Sequence, residues 1–226
     1  MTQISRRTTL AWVAAAAAGP WASAEAAPDA TLPGTWPQGE LPPISAAGYG
    51  QDPNLVKPVV PWPLTLSTAQ RGNLKTIAGL MLPADAHSPS AASLPIDAFI
   101  DEWVSAPYPQ QQRDRGLILH GLAWLDVESA ARFQHDFATA SDTERRAIFD
   151  DIAFRGRVKP GYERPALFFT RLRALMLAGF YSLPEGMADI GYIGNTPSLE
   201  PYPGPPREAI AHLNAALTKL GLKTVS

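Results

Sequence analysis

An all-α fold is what this sequence predicts, on three observations. Apolar residues recur at helical spacing in successive stretches between residues 67 and 220, two of those stretches open on a capping box, and no run alternates apolar with polar residues as a half-buried strand does. With 226 residues, 46% of them hydrophobic and 6 tryptophans, the chain can bury one core. Its 23 prolines collect towards the two ends, which predicts a compact multi-helix domain with long Pro/Gly-rich extended arms and loops.

The first element is not part of that domain. Ser5-Arg6-Arg7-Thr8-Thr9-Leu10 precedes an alanine-rich apolar run, Ala11 to Ala18, and then Ala22-Ser23-Ala24 and Ala24-Glu25-Ala26. Paired arginines, a modestly hydrophobic stretch and small residues at alternate positions form a twin-arginine export signal over residues 1–26, with cleavage expected after Ala24 or Ala26. The apolar run is shorter than the ~20 residues that cross a bilayer, and Gly19-Pro20 interrupts it, which argues against an anchor. Arg6 and Arg7 are expected to carry export through the twin-arginine translocon, and the chain is expected to work in the periplasm.

Residues 27–66 follow as an extended Pro-rich arm. From Pro28 to Pro63, proline and glycine recur every few residues and leave no room for a regular helix. Trp36, Tyr49, Leu55, Val59, Val60 and Trp62 make the segment too apolar for a solvated tether, so it is expected to lie on a surface, its own or a partner's.

The helical domain spans residues 67–226. Ser67 with Gln70 three residues on is a capping box, and Leu74, Ile77, Ala78 and Met81 share the inner face of a helix that Pro83 stops. Pro95 opens a second helix whose Ile96, Phe99, Ile100, Trp103 and Val104 form a core stripe, with Asp97, Asp101 and Glu102 expected on the wet side. A third helix is expected from about Gln110 to Asp126, and a separate one from about Glu128 to Ala138 through Phe133 and Phe137. Ser141 and Glu144 repeat the capping box ahead of Ile148 and Ile152. The strongest pattern starts at Pro165 and reaches Tyr181, with Leu167, Phe168, Leu172, Leu175, Met176 and Phe180 apolar and Arg164, Arg171 and Arg173 on other faces, and predicts the central helix. Leu183 to Pro206 reads as helix-poor, and Pro206 starts a last helix carrying Ile210, Leu213, Leu217 and Leu220.

Little in the chain points to chemistry of its own. The absence of cysteine excludes thiolate-held clusters, c-type haem attachment and disulfides, and His87, His120, His135 and His212 have no metal-ligand spacing. No G-x-S-x-G elbow or phosphate-binding loop occurs, and Gly48-Tyr49-Gly50-Gln51-Asp52-Pro53 puts proline where a dinucleotide fingerprint needs its third glycine. Asp101-Glu102 and Asp150-Asp151 are neighbours about 100° apart on a helix, which suits solvated faces rather than a shared acid/base pair. A formal charge of -2, made more negative by loss of Arg6 and Arg7, gives no reason to expect nucleic acid as a partner. Catalytic, cofactor and metal residues are therefore expected to be none.

Three runs carry a resemblance: LMLPADAHSPSAASLPIDAFIDEWV (Leu80 to Val104), FFTRLRALMLAGFYS (Phe168 to Ser182) and GYIGN (Gly191 to Asn195). In order and spacing they resemble the gluconate 2-dehydrogenase subunit 3 family, over roughly residues 65–205. The resemblance implies a small subunit, itself without cofactor, of a periplasmic, membrane-attached sugar or sugar-acid dehydrogenase. It implies a large-subunit partner that is a flavoprotein of the glucose-methanol-choline oxidoreductase class and holds FAD. A multihaem cytochrome c, with haem c in a third subunit, is a possible acceptor there. It further implies that the small subunit carries the export signal for a signal-less flavoprotein and supports its maturation.

For docking, the large aromatic and apolar residues of the arm and loops are the candidates: Trp36, Trp62, Tyr181, Tyr192, Ile193 and Tyr202, expected to be exposed. The alternative reading is a free-standing periplasmic helical protein that binds a small ligand in a pocket lined by the tryptophans. An independent enzyme using Glu185 and Asp189 ranks third.

Overall fold

The structure is a computed structural model and describes residues 36–194, 200–201 and 203–225. The export motif, with Arg6 and Arg7, and also Tyr202 lie outside the described residues. The chain divides into two compact units, Met1–Gly191 and Tyr192–Ser226. Among the described residues the regular structure is helical: seven α-helices, two 3-10 turns and no strand.

In the first unit, α1 (Thr68–Met81) is opened by both bonds of its capping box, Gln70 N to Ser67 Oγ at 3.2 Å and Ser67 N to Gln70 Oε1 at 2.8 Å. After a 3-10 turn at Ala91–Ser93 that packs back on α1, Pro95 precedes α2 (Ile96–Ser105). The next helix, α3 (Pro109–Phe133), has its proline in the first turn, where the missing N–H costs nothing, and ends at Gln134 in the left-handed region with φ 69°. The second capping box, Ser141 with Glu144, opens α4 (Asp142–Ile152). Then come α5 (Glu163–Tyr181) and the short α6 (Pro184–Asp189).

The longest apolar pattern makes the centre of the unit, as its sequence predicts: α5 touches α2, α3, α4 and α6. Its Phe168, Phe169, Leu172, Met176 and Phe180 are fully buried against Ile96 and Ile100 of α2, Ile118 and Leu122 of α3, and Ile148 and Phe149 of α4 in one cluster. Helices α3 and α5 come close because Gly121 has no side chain: a Cβ there would sit 2.0 Å from the Phe168 ring. A stripe of this kind, at ~25 cal/mol per Å² of apolar area buried, is the main source of stability.

Four sequence expectations are corrected. Helix α3 runs unbroken through Val127 to Phe133, because no glycine or proline interrupts it there and Glu128 and Ser129 are buried rather than marking a boundary. Phe137 lies beyond it, in the connection to α4, with its ring fully buried. On α2, Asp97 and Asp101 are buried, not wet, since neighbours cover that face: Arg71 pairs with Asp97 at 2.8 Å, and the chain before α1 covers Asp101. Finally, Arg173 lies inside over the Phe169 ring, and Leu183 to Pro206 contains α6.

The second unit holds α7 (Arg207–Lys219). Gly221, at φ 68°, turns the chain at its end, and Leu222 N returns to Leu217 O at 2.9 Å. Asn214 bonds Val225 twice, through Nδ2 to its carbonyl and Oδ1 from its amide, which folds the tail along α7.

Candidate functional site: an apolar groove edged by the arm

Residues 36–66 contain neither helix nor strand, so their backbone groups must find partners elsewhere. Several find them on α2 and the start of α3. Ile44 N donates to Gln112 Oε1 at 3.2 Å, and Tyr49 N to Tyr108 Oη at 2.8 Å. Gly48 allows the second contact, since a Cβ would lie 2.6 Å from that hydroxyl. Trp62 packs edge-on against Tyr49 and Tyr108, with ring centroids 4.9 and 5.7 Å away, and its indole N–H donates to the Glu102 carbonyl at 3.2 Å. The Tyr49 hydroxyl donates to Glu102 Oε1 at 3.2 Å, and burial first, then the Glu102 charge, pushes its pKa up.

The last residues before α1 are held by a buried charge. Asp101 Oδ1 accepts from Thr65 N at 3.1 Å, Leu66 N at 3.0 Å and Ser105 Oγ at 3.1 Å. Arg115 reaches Thr65 Oγ1 and the Val104 carbonyl. Burial lowers its pKa, and the neighbouring Asp101 charge works the other way. This arrangement is structural: every acceptor lobe of Asp101 that has a partner is spent on the chain itself.

Where this segment passes α2 it leaves an open groove of about 540 Å³, lined by Val60, Trp62 and Leu64 of the arm, Pro95 and Phe99 at α2, and Leu183 after α5. Its floor is drawn in by Gly179, whose missing Cβ would meet the Phe99 ring at 2.9 Å. Glu102 is its one titratable lining residue. Ahead of the groove, Asn54 Oδ1 accepts from Val56 N and Lys57 N, both at 3.0 Å, making a tight turn that holds Leu55 83% and Val56 88% exposed, with Val59 at 76%. The surface is thus apolar, concave at one end and projecting at the other. The groove's lining is mostly apolar, with Glu102 and Ser182 as the polar side chains among it.

The expected docking residues fall in different places. Trp36 and Trp62 are only 5% exposed, so the exposure on which their choice rested is absent. Trp36 joins the core cluster, its ring 6.5 Å from that of Trp124, and Trp62 is the hinge-pin of the arm. Tyr181 is half-buried against Phe180, its hydroxyl donating to Asp189, one of the carboxylates read as a distant catalytic candidate. Tyr192 and Ile193, at the start of the second unit, are exposed. Sequence reasoning missed Phe99, Leu64 and Leu183 as groove residues, since Phe99 looks like ordinary core at helical spacing and Leu64 and Leu183 stand alone in the arm and in a helix-poor stretch. Leu55 and Val59, which the sequence marks as too apolar for a solvated tether, are exposed together with Val56.

Among the described residues no three His, Asp or Glu side chains gather as a metal set, and no helix is long and apolar enough to cross a membrane. A family model for gluconate 2-dehydrogenase subunit 3 matches residues 68–201, more than half of the chain. The chain belongs to the gluconate 2-dehydrogenase subunit 3 family. No curated protein and no solved structure matches it. The matched span runs from α1 through α6 into the second unit, with the groove's α2 and α5 walls inside it and the arm and α7 outside. A numbered dehydrogenase subunit is one component of a complex, which agrees with an exposed apolar surface beside a core that is otherwise closed.

Proposed function

We propose that this chain is the non-catalytic small subunit of a periplasmic FAD-dependent dehydrogenase acting on alcohol groups of sugars or sugar acids, and that it escorts the flavoprotein through export. The observation that carries the reading is the family match over residues 68–201. The paired Arg6-Arg7 motif ahead of a helical domain that presents a mostly apolar groove supports the escort role. The large subunit, a flavoprotein of the glucose-methanol-choline class, folds around FAD in the cytoplasm and docks on the first unit. Both then cross by the twin-arginine route, and a cytochrome c subunit with haem c takes the electrons and ties the complex to the membrane.

Purifying the C-terminally tagged chain from the periplasm and membranes of its native host tests this. A stoichiometric partner with flavin absorbance is the expected result, and a colourless monomer would instead favour a free-standing ligand binder. Replacing Arg6 and Arg7 by Lys is expected to leave both chains in the cytoplasm. A flavoprotein that still reached the periplasm would refute the escort role while leaving the subunit role intact.

A further inference from the structure

We propose that the loop of residues 50–61 is an insertion element, whose Leu55, Val56 and Val59 enter an apolar recess on the flavoprotein subunit. The inference rests on the subunit reading above and names the place where that partner is gripped.

The loop is built to keep its shape. Its neck is closed by the Tyr49–Trp62 ring contact at 4.9 Å and pinned on both sides, by Tyr49 N to Tyr108 Oη and by Trp62 Nε1 to the Glu102 carbonyl. Its tip is turned by Asn54, which holds two successive amides, and Pro53, Pro58 and Pro61 fix φ along it. A compact loop with its ends together normally packs on its own side chains. This one turns its three aliphatic side chains outward, at 83, 88 and 76% exposure, so the fixed backbone does nothing for the isolated chain. A rigid element presenting apolar groups loses little conformational freedom on binding.

Size and charge point to a protein recess as the occupant. Burying an aliphatic side chain removes roughly 60–120 Å² of apolar area, so Leu55, Val56, Val59 and the half-exposed Leu64 together offer roughly 250–450 Å². With the adjoining groove this supplies about half of the ~800 Å² that one side of a stable subunit interface buries. Between Trp36 and Leu66 the only charged residues are Glu40, Asp52 and Lys57. Recognition of anionic headgroups calls for clustered Lys or Arg, and this loop has a single Lys offset by an Asp.

The test uses the tagged full chain in its native host with Leu55, Val56 and Val59 all changed to Asp, and Leu167→Asp on the outer face of α5 as the control for an exposed apolar residue elsewhere. Because the three loop side chains are largely exposed, the triple variant is expected to unfold at the wild-type temperature. Its co-purified flavin per chain is expected to fall at least tenfold, with the control unchanged. Undiminished flavin in the triple variant would overturn the proposal and leave the subunit reading standing. Flavin retained but shifted from membrane to soluble fractions would overturn it in favour of a lipid contact. Absence of flavoprotein from the wild-type chain would remove the subunit reading and this proposal with it.

Discussion

Replacing Asp101 by Ala probes the joint between arm and helices. In the folded chain its carboxylate holds the amides of Thr65 and Leu66 and the Ser105 hydroxyl, beside the buried Arg115 guanidinium. Thr65 N keeps a second acceptor, Ser105 Oγ at 3.0 Å, whereas Leu66 N has Asp101 as its acceptor. Truncation therefore strands one amide, at about 1–3 kcal/mol, and deprives Arg115 of its neighbouring charge. The stranded amide sets the expected loss at about 1–3 kcal/mol. In a domain of this size it lowers Tm by roughly 2–12 °C. Asp101→Asn, which keeps an oxygen for Leu66 N, is expected to lose distinctly less. Thermal unfolding followed by far-UV circular dichroism gives the magnitude, and hydrogen exchange at Thr65 and Leu66 shows whether the arm has lifted. A loss below about 1 kcal/mol for Asp101→Ala would refute the assignment of the arm's anchor to this carboxylate.

Three further outcomes follow from the same structure. Gly121→Ala gains about 1 kcal/mol in helix propensity but drives a methyl into the buried Phe168 ring; a net loss of about 1–3 kcal/mol by chemical unfolding is expected, and an unchanged midpoint would contradict that close approach. Burial, and after it the Asp136 charge, raises the pKa of Asp126 against the Phe137 amide and Asn73, so the folded state holds its proton more tightly than the unfolded one. Its contribution is full below the ordinary carboxylate value and lost as pH rises through the raised one, so Asp126→Asn, which can still accept from Phe137 N, is expected to flatten the stability profile over the pH range just above the ordinary carboxylate value. Tyr162→Phe removes the 2.6 Å bond from its hydroxyl to the buried Glu128, which stays paired with Arg132; a loss of about 1.5–3 kcal/mol is expected, and a neutral variant would show Arg132 alone to suffice.

What could be read in advance was local. Ser67 with Gln70 and Ser141 with Glu144 specify helix starts within four residues, and both boxes form. The Ile96–Ile100–Val104 stripe and the run ending in Phe180 are fixed by 3.6-residue periodicity, and both are core. The misreadings concern groups whose environment comes from far along the chain. Asp97 and Asp101 look solvated because their partners, Arg71 and residues 65–66, are 26 to 36 positions away. Asp126, Val127 and Glu128 look like a helix boundary until Arg132 and Tyr162 are seen to satisfy the Glu128 carboxylate. Asp151 looks wet and instead sits in the same cluster, where burial would raise its pKa but Lys159 and Arg132 hold it below the ordinary value. The groove was invisible for the same reason, since its walls come from the arm, α2 and the end of α5.

The span of the arm's contacts has a consequence for the order of events in folding. The helices meet sequence neighbours, α1 with α2 and α2 with α3, and short-range contacts of this kind form early. The arm reaches its partners across 35 to 68 residues, and those partners are surfaces that exist only after α2 and α3 have packed. Seating of Trp62 is then a clock for completion: its fluorescence should settle after helical ellipticity has reached its plateau, and a chain whose arm is down has finished folding its first unit.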